Sequence, residues 1–453
     1  MKKYINHLVL FLLVLLNCSC NSLLDEKTDI KMVIPKTLED ADLLLNDYNT
    51  MNTGFPVVGE IATDQYNISD DVFDGSLNTD QQNFYTWADH PYNDANVWQR
   101  PYKTVYMANQ VLDILDKLPA GSDPDRRDKL MGAAHFYRAF AFQQLAEVFC
   151  PSYDKSTATT DLGVPIRLEP AMDQVSSRGT LKQSMDQVIK DYNVAARLLP
   201  LEDRIIGRPI RAAAYAGLAR TYLTMSDFDN AYSYADSCLD LKSKLMDYNE
   251  LDSDEDLPIP KYNEEILFLA MSGAAGPMNY NNNTVEQGLY NSYAASDLRK
   301  KIFFQQRDDE PNAYRYRGNY DRNRALLFIG PTTSELYLIK AETAVRLGKL
   351  NEGRTALNTL LRSRYKTGQF AEISETDDQK LLSLIIRERE KELVFRGRRW
   401  SDLKRLNQES AFKKTLTRTV KGQLHTLEPG SAKYAFRLPE PVVTLGNLPQ
   451  NSR

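Results

Sequence analysis

Residues 209–241, PIRAAAYAGLARTYLTMSDFDNAYSYADSCLDL, decide the fold. Leu218-Ala219, Tyr222, Asp227-Phe228, Ala231 and Ala235 follow the spacing of a tetratricopeptide unit, a helix pair of roughly 34 residues. Small alanines let the two helices approach closely, and Tyr222 and Phe228 fill the gap that remains. A second unit runs through residues 334–362, with Ala341, Ala344, Gly348, Leu350, Gly353, Leu357 and Leu360. Upstream, residues 128–149 place Phe136, Phe140, Ala141, Gln144, Leu145 and Val148 at three- and four-residue intervals, which predicts a helix with one apolar face. Pro151 follows where that pattern stops. Residues 98–149 and 180–224 supply further helices. The expected fold is mainly α: a tetratricopeptide-like helical-hairpin scaffold carrying long, irregular loops. Such scaffolds build recognition surfaces far more often than they perform chemistry.

Composition removes several alternatives. With 42% apolar and 26% charged residues over 453 positions, the chain is a folded one. Its 56 Lys+Arg against 61 Asp+Glu leave a net charge of −5, which argues against nucleic acid as a partner. Four Cys and four His are too few for a zinc module. At the N-terminus Lys2 and Lys3 precede the apolar run Leu8–Leu16. That run is about half the roughly 18 residues needed to cross a bilayer, so residues 1–19 read as a signal peptide. Ser19-Cys20, a small residue before a cysteine just after the apolar core, looks like a bacterial lipoprotein cleavage site, with Cys20 as the acylated residue. Each methylene buried in the bilayer contributes about 0.8 kcal/mol, and two or more chains give stable anchoring. Cys150 and Cys238, far apart in sequence, read as partly buried thiols.

Three polar, aromatic segments do not fit the scaffold. Residues 64–96 hold seven Asp (64, 70, 71, 74, 80, 89, 94) and no Lys or Arg, interleaved with Tyr66, Phe73, Phe84, Tyr85, Trp87 and Tyr92. Residues 276–293 carry Tyr280, Tyr290 and Tyr293 among Asn279, Asn281, Asn282, Asn283 and Asn291. Residues 312–323 alternate Tyr314, Tyr316 and Tyr320 with Arg315, Arg317 and Arg322. The Asp-rich segment lacks the spacing of an EF-hand loop and reads as solvated, with a Ca²⁺ ion held by several of its oxygens as the alternative; Asp252–Asp256 reads as a solvated acidic loop. Trp98, on a helix through Tyr102, Tyr106 and Val111, is assigned to packing. There is no G-x-S-x-G, H-E-x-x-H or P-loop motif, and His90, His135 and His425 are scattered, so no catalytic residue is nominated.

Five stretches, in order along the chain, resemble the SusD/RagB type of outer-membrane nutrient-binding lipoprotein. They are Ser19-Cys20-Asn21-Ser22-Leu23-Leu24-Asp25; Ala134–Phe149 (AHFYRAFAFQQLAEVF) with Asp161-Leu162-Gly163-Val164-Pro165; Ser177–Pro200 with Arg211–Tyr234; Arg387–Arg405 (REREKELVFRGRRWSDLKR); and Tyr434–Pro441 with Asn447–Asn451. In the fourth, Glu392-Leu393, Gly397, Arg399, Asp402-Leu403 and Arg405 match the family pattern, while Arg396 replaces an acidic residue and removes one expected ion pair. Its i,i+3 pairs Arg387/Glu390, Glu388/Lys391 and Arg389/Glu392 support an isolated helix by only a few tenths of a kcal/mol each; the stretch reads as architectural, fixing one helix against the next and not marking the ligand site, and Trp400 inside it reads as packing. The resemblance implies three regions: the signal peptide 1–19, an N-terminal region 20–245, and a C-terminal region 246–453 that opens with variable loops at 246–330.

The resemblance also implies a role without catalysis and without a cofactor. The protein would sit on the outer membrane facing the cell exterior, anchored by lipid, and would bind a glycan and hand it to a SusC-like TonB-dependent transporter. Relatives of the RagB kind take peptides, and the 312–323 arginines suit carboxylates. A surface glycosidase or a pure tetratricopeptide scaffold are the readings from other classes. Sugars combine apolar C–H faces with hydroxyl clusters, so their sites want aromatic rings flanked by planar hydrogen-bonding side chains. That nominates Tyr280, Asn281, Asn282, Asn283, Tyr290 and Tyr293 first, then Asp64, Tyr66, Trp87, Asp89 and Tyr92. Replacing Cys20 with Ala is expected to abolish acylation, which metabolic labelling with a fatty-acid analogue measures; a variant that stays labelled has its anchor elsewhere.

Overall fold

Helix boundaries follow the capping chemistry of the chain. Asp123 caps and Pro124 opens a long helix, and Thr180 forms a capping box with Gln183 at the head of another. A computed structural model of the protein describes residues 35–119, 121–171 and 175–453. The signal peptide, Cys20 and the Ser19–Asp25 stretch lie outside these described residues. Ten helices carry the scaffold: α1 (Leu38–Leu45), α2 (Asn96–Lys117), α3 (Pro124–Phe149), α4 (Leu181–Leu198), α5 (Arg211–Thr224), α6 (Phe228–Leu241), α7 (Thr333–Arg346), α8 (Leu350–Arg362), α9 (Asp378–Glu392) and α10 (Arg399–Leu406). The hairpins expected at 209–241 and 334–362 are α5/α6 and α7/α8. Their seam is continuous, because Ala212, Ala216, Ala219, Ala231 and Ala235 share one buried cluster with Leu336 and Ile339 of α7. Thr37–Arg453 is one compact unit, and α6 packs on α7 across the region boundary placed at residue 245.

Helix α3 departs from the expectation of a single apolar face. From Phe136 to Phe149 every residue is buried, polar ones included. Neighbouring α2 and α4 cover both sides of it. The polar side chains are satisfied inside the fold: Arg138 reaches Asp191 at 2.7 and 2.8 Å and Asn109 at 2.8 Å, and Gln143 bonds Thr221 at 3.1 Å and Tyr192 at 2.8 Å. Trp98 packs edge-on against Phe149, and Trp400 lies over Tyr434 and Phe436. Cys150 and Cys238 are both free and fully buried.

The charged Arg387–Arg405 stretch is also largely buried, and most of its ion pairs are not the i,i+3 ones. Glu388 does pair with Lys391 at 2.8 Å, but Arg389 bonds Asp402 at 2.8 Å. Glu392 joins Arg299 at 3.1 Å and Arg364 at 2.8 Å, and Arg364 also holds Glu265 at 2.7 Å. Arg405 bridges Glu342 at 2.5 Å and Asp402 at 2.9 Å. These links run between segments far apart in sequence, so the stretch welds elements together instead of supporting one helix. Arg396 makes no ion pair; its guanidinium lies 3.7 Å from the centre of the Tyr320 ring. Gly397 turns the chain between α9 and α10 at φ +71°, where a Cβ would stand 2.7 Å from the Ile329 side chain.

Short antiparallel ladders tie the loops to the helices: β1 (Tyr66–Asn67) with β3 (Thr284–Val285), β2 (Met271–Ala274) with β6 (Leu326–Phe328), β4 (Phe304–Gln306) with β5 (Tyr314–Tyr316), and β7 (Leu416–Val420) with β8 (Gln423–Leu427). Glu60 lies fully buried in a helical turn, Val58–Ile61, that packs on α10. Burial pushes its carboxyl up to about 7 against the opposing pull of Arg398. The folded chain therefore keeps a proton that the unfolded chain releases near pH 4.5, and stability falls as pH rises from about 4.5 to 7. Glu60→Gln is expected to remove that decline, a difference on the order of 3 kcal/mol by pH 8 in urea-unfolding midpoints followed across pH; parallel curves for the two proteins would refute it.

Candidate functional site

The segment without cations, 64–96, is neutralised from the far end of the chain. Asp64 accepts two 2.8 Å bonds from Arg399 and one contact of 2.6 Å from Lys414. Burial alone would raise its carboxyl; the two cations outweigh that and hold it well below the usual carboxylate range. Asp74 pairs with Lys421 at 2.8 Å, Asp70 accepts the Lys421 amide at 2.8 Å, and Asp89 pairs with Arg453 at 2.5 Å. Asp80 accepts the amides of Asn93 and Asp94. This corrects the reading of a solvated loop: the aspartates pin the segment down.

Most of the nominated aromatics are structural for the same reason. Tyr66, Trp87, Tyr92 and Tyr293 are each under 5% exposed, and each points its polar atom at a main-chain carbonyl, of Ile61, Ala62, Arg437 and Lys391 respectively. Asn283 is fully buried, donating to Met278 and Asn279 and accepting from the Tyr316 amide. These five leave the list of ligand-contacting candidates. A ring beside Asn and Asp in sequence can as readily cement a loop as face a ligand, and here the loops are thick enough to bury them.

Tyr280, the first residue nominated, is buried too and leaves the list with them, whereas Tyr290 stays near the surface. Tyr290 is half-buried and stacks on Tyr314 with ring centres 3.6 Å apart and planes 14° from parallel; the Lys300 ammonium lies 4.6 Å from the Tyr290 ring. Strand alternation makes this possible: β5 puts Tyr314 and Tyr316 on one face and Arg315 on the other. On that other face the Tyr280 ring lies between the guanidinium groups of Arg315 and Arg324, at 5.0 and 4.4 Å, and its hydroxyl bonds Asp256 and Gln305. Asn281 is exposed and Asn282 half-buried beside it.

The β1–β3 ladder joins segments 64–96 and 276–293, pairing Tyr66 with Val285 and Asn67 with Thr284. Next to it opens a cleft of about 530 Å³. Asp64 and Asn67, Glu286 and Ser292, Arg387 and Glu390 of α9, and Lys414, Thr417 and Arg418 around β7 line it. The helical turn Gln287–Asn291 separates cleft from stack: Gly288 and Leu289 face the cleft, while Tyr290 carries the stack. The acids are already engaged. Glu286 accepts the Gly288 and Leu289 amides at 2.8 and 2.6 Å, and Glu390 pairs with Arg399 at 2.9 Å. Sequence reasoning missed Tyr314, Arg387, Lys414 and Arg418 as site residues. It also missed a second, more apolar cleft of about 810 Å³ between α2 and the C-terminal tail, lined by Tyr102, Tyr106, Val442 and Leu445. Among the described residues no group of three or more His, Cys, Asp or Glu is placed to hold a metal ion.

Comparison with known proteins places this architecture. Residues 22–223 match a family described as starch-binding and associating with the outer membrane, and residues 333–432 match the SusD family model. The chain belongs to the SusD/RagB family. A relative of this SusD-family chain, SusD-like protein P2 of Formosa agariphila, is 24% identical, with the match covering 90% of this chain and 91% of that one. Among solved structures, a SusD superfamily protein of Bacteroides thetaiotaomicron superposes with a TM-score of 0.75 at 20% identity, covering 92% of this chain and all of the other. A surface glycan-binding protein A of Bacteroides uniformis gives 0.70 at 18%, covering 92% and 99%. A SusD-like carbohydrate-binding protein of Bacteroides vulgatus gives 0.68 at 18%, covering 91% and 96%. The family-matched stretch 333–432 contains α7–α10 with Arg364, Glu388, Glu392 and Arg405 of the buried charge network, while Glu265, Asp297 and Arg299 and the tyrosine stack fall between the two matched stretches. Truncating the buried Tyr293 to Ala is expected to cost about 3–5 kcal/mol in urea unfolding. Tyr290→Ala or Tyr314→Ala should lose no more than about 1.5 kcal/mol, the worth of an aromatic pair; equal losses at all three would mark the stack as core.

Proposed function

We propose that this protein captures an oligo- or polysaccharide at the cell exterior, anchored to the outer membrane through an acylated Cys20, and delivers it unaltered to a SusC-like TonB-dependent transporter. The observation that carries this reading is the half-buried Tyr290–Tyr314 stack beside a polar cleft. Together they offer flat apolar rings for sugar C–H faces and a set of hydrogen-bonding side chains for hydroxyls. The family description as starch-binding, and the glycan-binding name of the Bacteroides uniformis neighbour, support it. Among the described residues no helix is long and apolar enough to cross a membrane, which suits attachment by lipid.

The state of the acids supports capture without cleavage. Hydrolysis of a glycosidic bond needs two carboxyl groups available to the sugar. Asp64, Glu286 and Glu390 are each tied to cations or main-chain amides instead. The peptide alternative loses its main support as well. Arg315 pairs with Asp308, Arg322 with Glu255 and Arg324 with Asp256, and Arg317 donates to main-chain carbonyls.

Affinity electrophoresis and calorimetry of residues 26–453 against polysaccharide and peptide panels test the reading. Saturable binding to a glycan without release of new reducing ends is the expected result, weakened about tenfold by Tyr290→Ala with Tyr314→Ala. Turnover of the bound glycan, or binding to peptides alone, would overturn it.

A further inference from the structure

We propose that the cleft beside β1 selects glycans bearing a carboxylate or sulfate, and that Arg387, Lys414 and Arg418 receive the anionic group. The proposal rests on the glycan-capture reading and adds the substrate class. Every acid of the cleft is spoken for, as described above, and Lys391 in its wall is paired with Glu388 and Asp297, but Arg387 and Arg418 have no acid of their own among the described residues. Arg387 stands exposed on α9 and lines the cleft, and among the described residues its side chain has no ion pair or hydrogen bond. The Lys414 side chain is 51% exposed, and its ammonium pairs with Asp64, which is already held by Arg399 through two hydrogen bonds.

Arg418 is the least ordinary of the three. Its guanidinium is 4% exposed, donates to the carbonyls of Tyr85 and Thr63, and lies 3.6 Å from the centre of the Tyr85 ring. Among the described residues no carboxylate pairs with it. A buried guanidinium normally has an acid beside it, because charge removed from water is costly without a counter-charge. Its charge is felt nearby. His425, its partner across the β7–β8 ladder, is held below the usual histidine range by burial and by Arg418. The walls of a cleft focus such a field on whatever enters. Thr417 adds a hydroxyl at the rim. A carboxylate or sulfate on the sugar would supply the missing counter-charge and take the two-pronged hydrogen bonding that arginine offers. A neutral sugar would leave both arginines as they are.

Calorimetry of the full mature chain against matched pairs of probes tests this: oligogalacturonate with its methyl ester, and a sulfated galactan oligosaccharide with its desulfated form. The acidic member of at least one pair is expected to bind about tenfold or more tightly than its neutral twin. That preference should shrink between about 0.05 and 0.5 M salt as the charges are screened. Arg387→Gln should collapse the ratio toward one without moving the thermal unfolding midpoint, and Arg387→Lys should restore part of it. Lys414→Gln should also reduce it. Equal affinity for acidic and neutral twins, or a ratio unmoved by Arg387→Gln, would overturn the anion assignment while leaving glycan capture intact. Binding to no glycan would overturn both readings. A preference for glutamate-rich peptides over all the sugars would assign the cations to another class of ligand and also overturn it.

Discussion

The Glu392 carboxylate, shared between the buried guanidinium groups of Arg299 and Arg364, is the interaction on which the loop half of the molecule depends. Charges taken out of water cost several kcal/mol each, and only close, multiply bonded geometry offsets that. Here the geometry is supplied by chain segments that otherwise have little in common. Arg299 follows the tyrosine-rich loop and also bonds Asp297 and Glu388; Arg364, just past the end of α8, reaches Glu265; Glu265 accepts the hydroxyl of Tyr320 from the Arg/Tyr segment. One carboxylate on α9 thus fixes how the irregular residues between 246 and 330 sit on the regular scaffold. Burial alone would raise its pKa, and the surrounding arginines bring it below the ordinary value.

A binding surface assembled from loops gains from such anchoring. Side chains that must be ordered when a ligand arrives subtract from affinity, so rings already held in place start ahead. The Tyr290–Tyr314 stack is held in this way. Its two rings come from different segments, the Gln287–Asn291 turn and β5, and each segment is fastened nearby: the first by Tyr293 under the Lys391 carbonyl, the second by its ladder with β4. The polar cleft is built likewise, with β1, α9 and β7 meeting through Asp64 and Arg399. Recognition and architecture therefore share residues at their boundary, although the rings free to touch a sugar are few.

The helical hairpins were legible in the sequence because their alanines and aromatics recur with the period of the helix, a local property. Membership of the family was legible too, from short stretches in order. The site was much less so. Tyr290 and Tyr293 lie three residues apart in the same asparagine-rich segment, yet one forms a surface stack and the other is sealed under α9. Nothing in their neighbours distinguishes them. Their fates are set by Tyr314 and by the Lys391 carbonyl, both remote in sequence. Arg418 carries no local mark either, since a basic residue in a short alternating strand reads as solvent-facing. One clue was present: a run of seven aspartates with no cation of its own must find positive charge elsewhere, and the basic C-terminal stretch is the obvious donor.

That long-range neutralisation has a consequence for the order in which the molecule can be completed. Asp64 waits for Arg399, 335 residues later, and Asp89 waits for Arg437 and Arg453. The Asn451 amide group likewise closes onto the carbonyls of Phe149 and Phe436. A ribosome makes the chain from the other end, so the helices from α2 to α6 are finished long before their aspartate-rich flank has its counter-ions. Until the final fifty or so residues emerge, that flank is a stretch of like charges with nothing to hold it against the helices. Loss of Arg399 or Arg453 therefore acts on a segment more than three hundred residues earlier in the polypeptide.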